Sequence, residues 1–174
     1  MIKVIFDSSV LITCCKFAVD GKLLIEHLSE ICKILIPDAV SGEAIAAGAK
    51  YRDAAVAEQM IRGGRIKVEQ VTVPAGGVLD HYRLGKGEKE AIVLGTKMEA
   101  DFICTDDRLA YIVANRMKLN GILCLDLLIE LWERRFIGRE FIERAIEAIK
   151  PRYPEGFVYH TMRILERGDR RCLE

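Results

Sequence analysis

No stretch of this sequence approaches the roughly 20 apolar residues that a membrane-spanning helix requires. Its first apolar segment, residues 2–6, meets Asp7 too soon to serve as a signal peptide. A soluble, cytoplasmic protein with no membrane contact is therefore expected. CxxC pairs are absent, as is any Cys/His cluster at zinc spacing. Cys14, Cys15, Cys32, Cys104, Cys124 and Cys172 sit in apolar segments, which predicts reduced, mostly buried thiols. Excess charge of either sign is missing too: 26 Lys and Arg offset 26 Asp and Glu, so overall basicity cannot attract nucleic acid and any such contact must use local patches. Repeats, linkers and low-complexity segments are likewise missing, which gives no ground for a second domain.

What is present is a chain of 174 residues, 51% hydrophobic, enough for one compact α/β domain that buries about two-thirds of its unfolded surface. Residues 2–6 are β-branched and aromatic and predict a strand; Asp7-Ser8-Ser9 is a polar turn, and residues 10–19 suit a buried helix. Residues 23–31 have helical spacing, 33–36 a short buried strand, and Pro37-Asp38 opens a helix carrying Val40, Glu43, Ala44 and Ala47. A helix over 53–61 is stopped by Gly63-Gly64, and 65–73 alternates like a strand. Residues 73–87, with Pro74, Gly76, Gly77, Gly85 and Gly87, read as a loop. Glu88 opens a helix with acids at the positive end of its dipole. Residues 101–104 form a strand ending in Thr105-Asp106-Asp107, followed by a helix over 109–117, a strand over 121–125 and amphipathic helices over 127–135 and 139–149. Pro151 and Pro154 then break the pattern, leaving 151–174 as a tail with a short helix around 157–165. Repeated βα units predict a three-layer α/β/α sandwich on a mostly parallel sheet over residues 1–150.

In an open parallel sheet, ligands gather beyond the carboxyl ends of the strands. Two of those ends are acidic here, Asp7 and Asp106-Asp107. Carboxylates brought together repel one another and lose hydration, so a true cluster calls for a cation. Mg²⁺ and Mn²⁺ prefer oxygen ligands, and one or two such ions can activate water and stabilise an in-line phosphodiester displacement.

Four segments carry a resemblance: Val4-Ile5-Phe6-Asp7-Ser8-Ser9-Val10-Leu11-Ile12; Pro37-Asp38-Ala39-Val40-Ser41-Gly42-Glu43, which looks like a PxxVxxE helix opening; Leu84-Gly85-Lys86-Gly87-Glu88-Lys89-Glu90-Ala91-Ile92, with a GExEAI signature; and Cys104-Thr105-Asp106-Asp107-Arg108, with a TDD strand end. In this order, over residues 2–137, they resemble the PIN domain (PilT N-terminus) nucleases, especially a branch of small prokaryotic proteins often paired with antitoxins. The resemblance implies a PIN-like fold and Mg²⁺- or Mn²⁺-dependent cleavage of single-stranded or structured RNA. It implies Asp7, Glu43, Glu90 and Asp107 as catalytic acids and metal ligands, Asp106 as a further ligand, and Ser8 and Thr105 as residues behind them. It also implies a homodimer and, for a toxin, a small antitoxin partner over the acids.

Plainer readings stand beside these. Asp7, Asp106 and Asp107 are good helix N-caps, and Glu43 is commonplace on a solvated helix face. Glu88 and Glu90 lie roughly 200° apart around a helix, so one serves the site and the other does not. His27, His81 and His160 have no metal-binding spacing, and the basic residues near 108–118, 134–144 and 163–171 default to solvated faces, with a track of phosphate contacts as the alternative. A haloacid dehalogenase-type enzyme expects an Asp two residues after the first, where this chain has Ser9; a phospho-accepting receiver needs an acidic pair before its Asp. A PIN-like module that binds RNA or protein without cutting is the alternative.

Overall fold

The computed structural model describes residues 1–46 and 50–171; Ala47 of the predicted third helix and Cys172 lie outside the described residues. In chain order the elements are β1 (Ile2–Phe6), α1 (Ser8–Lys16), β2 (Ala18–Val19), β3 (Lys22–Leu23), α2 (Leu24–Ile31), β4 (Cys32–Pro37), α3 (Asp38–Ile45), α4 (Arg52–Arg62) and β5 (Ile66–Glu69). A 3₁₀ turn (Val78–His81) precedes α5 (Lys86–Lys97), β6 (Phe102–Cys104), α6 (Arg108–Arg116), β7 (Gly121–Ile122), α7 (Cys124–Glu133), α8 (Arg139–Ile149), a second 3₁₀ turn (Lys150–Arg152) and α9 (Glu155–Arg171).

Five strands form one sheet in the order β5-β4-β1-β6-β7, and every neighbouring pair is parallel. Strand β1 is central, with Val4 opposite Ile34 on one side and Phe102 on the other. Covered on both faces, it reads as a continuous apolar run rather than an alternating one. The two-residue side-chain period then splits its contacts: Val4 and Phe6 pack into one core with Ile34 and Ile36, while Ile5 packs into a second with Leu35 and Ile103. The first core is closed by helices that include α1, α2, α7 and α8, the second by α5 and α6. The result is a three-layer α/β/α sandwich on a parallel sheet, as the βα repetition predicts.

Local departures have local causes. The helix predicted over residues 10–19 ends at Lys16, because Ala18–Val19 pairs antiparallel with Lys22–Leu23. Asp20 and Gly21 bridge that hairpin with φ of 54° and 78°, the two left-handed residues of a tight hairpin turn. The predicted strand over 65–73 stops at Glu69 and lies at the sheet edge, and β7 contains only Gly121–Ile122 before α7 begins. Helix α9 is longer than the short helix expected and packs on α7 and α8, burying Val158 and Leu165. The apolar stripes of α7 and α8, with Leu127, Leu128, Ile142 and Ile146, face the chain's own core. Cys14, Cys15, Cys32, Cys104 and Cys124 are buried and unpaired, and burial pushes the Cys15 and Cys32 thiols up to about 12.

One close approach sets the depth of the site. A Cβ on Gly95 would lie 2.5 Å from Cδ1 of Ile103, so α5 sits tight on the sheet. Its first turn is thereby carried to the carboxyl ends of the strands. Among the described residues, no helix is long and apolar enough to cross a membrane.

Candidate active site

Strand β1 ends in the fully buried Phe6, and Asp7 follows at 4% exposure, extended in backbone, as N-cap of α1. Its Oδ1 accepts from the Val10 amide at 2.8 Å and from the Ser9 hydroxyl at 2.8 Å. Its Oδ2 accepts from the hydroxyl of Thr105, the residue that follows β6. Burial raises the pKa of Asp7, and these donors, Thr105 foremost, act to lower it. Capping and site residue are thus one role here, since the donors fix the carboxylate at the strand end.

Thr105 also accepts, at 3.1 Å, from the backbone amide of Asp107, whose Oδ1 caps α6 through the Ala110 amide at 2.8 Å. Asp106 points elsewhere: Oδ1 accepts from the Cys124 amide at 3.2 Å and Oδ2 from the Tyr153 hydroxyl at 2.6 Å. Burial, then the Cys124 sulfur, pushes its carboxyl up to about 6.

Helix α5 brings the remaining acids. Glu88 accepts from the Gly85 amide at 2.7 Å, closing the first turn of the helix. Burial raises its pKa, followed by the charges of Asp107, Asp7 and Glu43, so these four carboxylates share one field. Two residues on, the buried Glu90 faces away and accepts from the Ala39 amide, in the first turn of α3, at 3.0 Å. Lys86 lies 3.7 Å from its other oxygen. Of the pair left open by the sequence, Glu88 lines the cavity and Glu90 ties α5 to α3. Glu43 is exposed on α3 and packs against the first turn of α5; its carboxylate oxygens would lie 3.0 and 3.1 Å from a Cβ on Gly87.

A cavity of about 760 Å³ opens beyond the strand ends, with Asp7, Ser8, Ser9, Glu88, Asp106 and Asp107 on its walls. Ser8 lines the cavity, whereas Ser9 and Thr105 bond Asp7 directly. Arg108, Tyr111, Arg152, Tyr153 and Phe157 also line it, and of these the sequence had singled out only Arg108, as part of a motif and of a basic segment. Of the rest, Tyr111 alone had a signal: it lies one helical turn beyond Asp107, with its amide on the Asp107 carbonyl at 3.0 Å. His27 packs on Phe141 and bonds the Val19 carbonyl, away from the cavity.

The donors facing the cavity are oxygens, the chemistry that suits Mg²⁺ or Mn²⁺. Among the described residues, no three His, Cys, Asp or Glu side chains are arranged so that they could enclose an ion by themselves. That fits an ion that keeps several waters and takes only one or two carboxylates directly, and it does not fit a closed structural zinc cage. Three of the acids hold protons more tightly than usual, chiefly because burial strips water from the carboxylate, and a bound cation would favour their charged forms.

A parallel sheet between helix layers, with carboxylates gathered past β1 and β6, defines a class of α/β/α proteins built around an acidic cleft. The family model described as PIN domain matches residues 3–166, and the chain belongs to the PIN-domain family. PIN domains are generally nucleases that use divalent metals such as Mg²⁺, and the fold suggests a nucleic-acid substrate. A PilT N-terminus domain protein from the hyperthermophilic archaeon Sulfolobus solfataricus P2 is similar in fold, with a TM-score of 0.51 and 20% identity, over 74% of this chain and 92% of that one. A domain of a functionally unknown protein from Methanocaldococcus jannaschii DSM 2661 gives a TM-score of 0.46 and 19% identity, over 71% of this chain and 91% of that one. No curated protein matches the chain.

Proposed function

We propose that this PIN domain is a Mg²⁺- or Mn²⁺-dependent endoribonuclease. The observation that carries the reading is that Asp7, Glu88, Asp106 and Asp107 all line one cavity at the carboxyl ends of the parallel strands. Asp7 and Asp107 would hold the ion, with Glu88, Asp106 and Glu43 reaching it through water. When bound, the ion supplies an activated water and charge stabilisation for phosphodiester hydrolysis, leaving a 5′-phosphate.

The chain's own groups position the acids. Val10, Ser9 and Thr105 fix both oxygens of Asp7, Tyr153 and the Cys124 amide fix Asp106, and Glu90 holds the start of α3 to α5. Ser8 is placed on the cavity wall to orient a water. If the chain serves as the toxin of a toxin–antitoxin pair, its small partner covers this cavity, and mixing the two stops cleavage.

The test is cleavage of a mixed panel of labelled RNAs with Mg²⁺ or Mn²⁺, comparing wild type, Asp7→Asn and an EDTA control. Cutting that needs metal and disappears in Asp7→Asn supports the reading. No cutting by folded wild-type protein with metal present overturns it in favour of a binding module.

A further inference from the structure

We propose that the cavity holds a nucleobase site beside the acids, where Tyr111 and Phe157 stack on an unpaired RNA base and Arg108 and Arg152 hold the neighbouring phosphates. The proposal rests on the endoribonuclease reading and adds to it a substrate form and the residues that select it.

Acids alone repel a polyanion, so a nuclease cleft must draw its affinity from elsewhere. The rest of the cavity lining has what is needed. Tyr111 is 36% and Phe157 50% exposed, so each leaves an aromatic face to solvent, and both line the same cavity as Asp7 and Glu88. Leu123 and Leu125 add an apolar floor. Aromatic faces take any base without reading its edges, which is how single strands are held. In a duplex those faces are hidden in the stack, so this site is closed to paired RNA.

The spacing agrees. Arg108 directly follows Asp107 and opens α6, and Tyr111 lies one turn later on that helix. Phosphate contact, base contact and acid are therefore carried by a single rigid turn. From the other end of the chain, Arg152 is anchored by its Nε on the Thr13 hydroxyl at 3.3 Å, and the Phe157 amide bonds the Pro154 carbonyl at 3.0 Å. Among the described residues Arg108 makes no ion pair, so its guanidinium is available for a phosphate.

The experiment is binding of a single-stranded oligoribonucleotide carrying 2-aminopurine, read by fluorescence in EDTA and again with Ca²⁺. Wild type should quench the probe, and Tyr111→Ala and Phe157→Ala should each weaken binding roughly 5- to 150-fold, the effect of losing one stacked base. Tyr111→Phe should bind like wild type, and annealing the complement should abolish binding. Circular dichroism and melting establish that each variant is folded. Unchanged affinity in both folded alanine variants, equal binding of duplex, or no binding in either condition overturns the proposal. A wild type that stacks the probe but cuts no RNA removes the nuclease reading alone. A wild type that cuts RNA while both alanine variants bind normally removes the base site alone.

Discussion

Thr105, at the end of β6, donates its hydroxyl to Oδ2 of Asp7, at the end of β1, across 98 positions of sequence. Replacing it with the isosteric valine removes that donor and the acceptor of the Asp107 amide together. Thr105→Val should lower kcat by about 10- to 100-fold, as loss of a group orienting a metal ligand does, with KM little changed. Thr105→Ser should restore most of the rate. Steady-state RNA cleavage decides it; a valine variant as fast as wild type would remove Thr105 from the site.

Glu88 and Glu90 should separate cleanly. Glu88→Gln, which keeps the Gly85 cap as an amide, should cut cleavage by 100-fold or more while the melting temperature holds. Glu90→Ala strands the Ala39 amide and should cost about 1–3 kcal/mol of stability, with the smaller effect on rate. Parallel melts and single-turnover rates on the two variants make the comparison, and the reverse pattern would return Glu90 to the metal site.

Gly87 leaves room for Glu43. A Cβ there would sit 3.0 and 3.1 Å from the Glu43 carboxylate and 3.1 Å from Cγ2 of Val40. Glu43 is exposed and can swing aside, so Gly87→Ala should leave the fold intact yet raise the Mg²⁺ concentration for half-maximal cleavage about 10-fold. A metal titration beside a melt tests this. An unchanged Mg²⁺ requirement means Glu43 contributes nothing to the ion.

Asp106 should make the metal-free protein pH-sensitive. Its carboxyl titrates near 3.8 when unfolded and is pushed up to about 6 in the fold, so between those values the folded state binds the extra proton. Stability from this group is full at low pH and is lost as pH rises through 6, by about 3 kcal/mol. Asp106→Asn, which cannot ionise, should therefore melt higher than wild type at pH 8 without metal, with the gap narrowing at pH 5 and closing below the unfolded value of 3.8. Added Mg²⁺ should stabilise wild type at pH 8 and much less at pH 5. A wild type that melts at the same temperature relative to Asp106→Asn at both pH values would contradict the buried, ionising carboxylate.

The central strands were legible because burial on both faces demands consecutive apolar residues, and residues 4–6, 34–36 and 102–104 supply them. The Asp20-Gly21 turn was written in the sequence as well, but the apolar residues before it look like more helix. What sequence could not decide was helix rotation. Whether Glu88 or Glu90 meets the cavity depends on how α5 rolls on the sheet, and that is set by Gly95 against Ile103, a contact between distant residues. Asp7, Asp106 and Asp107 could be found because strand ends point to a site without any tertiary detail. Tyr153 and Phe157 could not, since their place at the cavity follows from the packing of α9 on α7 and α8.

Synthesis runs from Asp7 toward α9, and this orders the making of the cleft. Every acid of the cavity is in the chain before Tyr153, which holds Asp106, and Phe157, which adds to the lining. A nascent or clipped chain that stops short of residue 153 therefore carries its full charge in an open trough, with Oδ2 of Asp106 missing its donor. On the proposed reading, the base site that Tyr111 begins is completed only when Phe157 joins it.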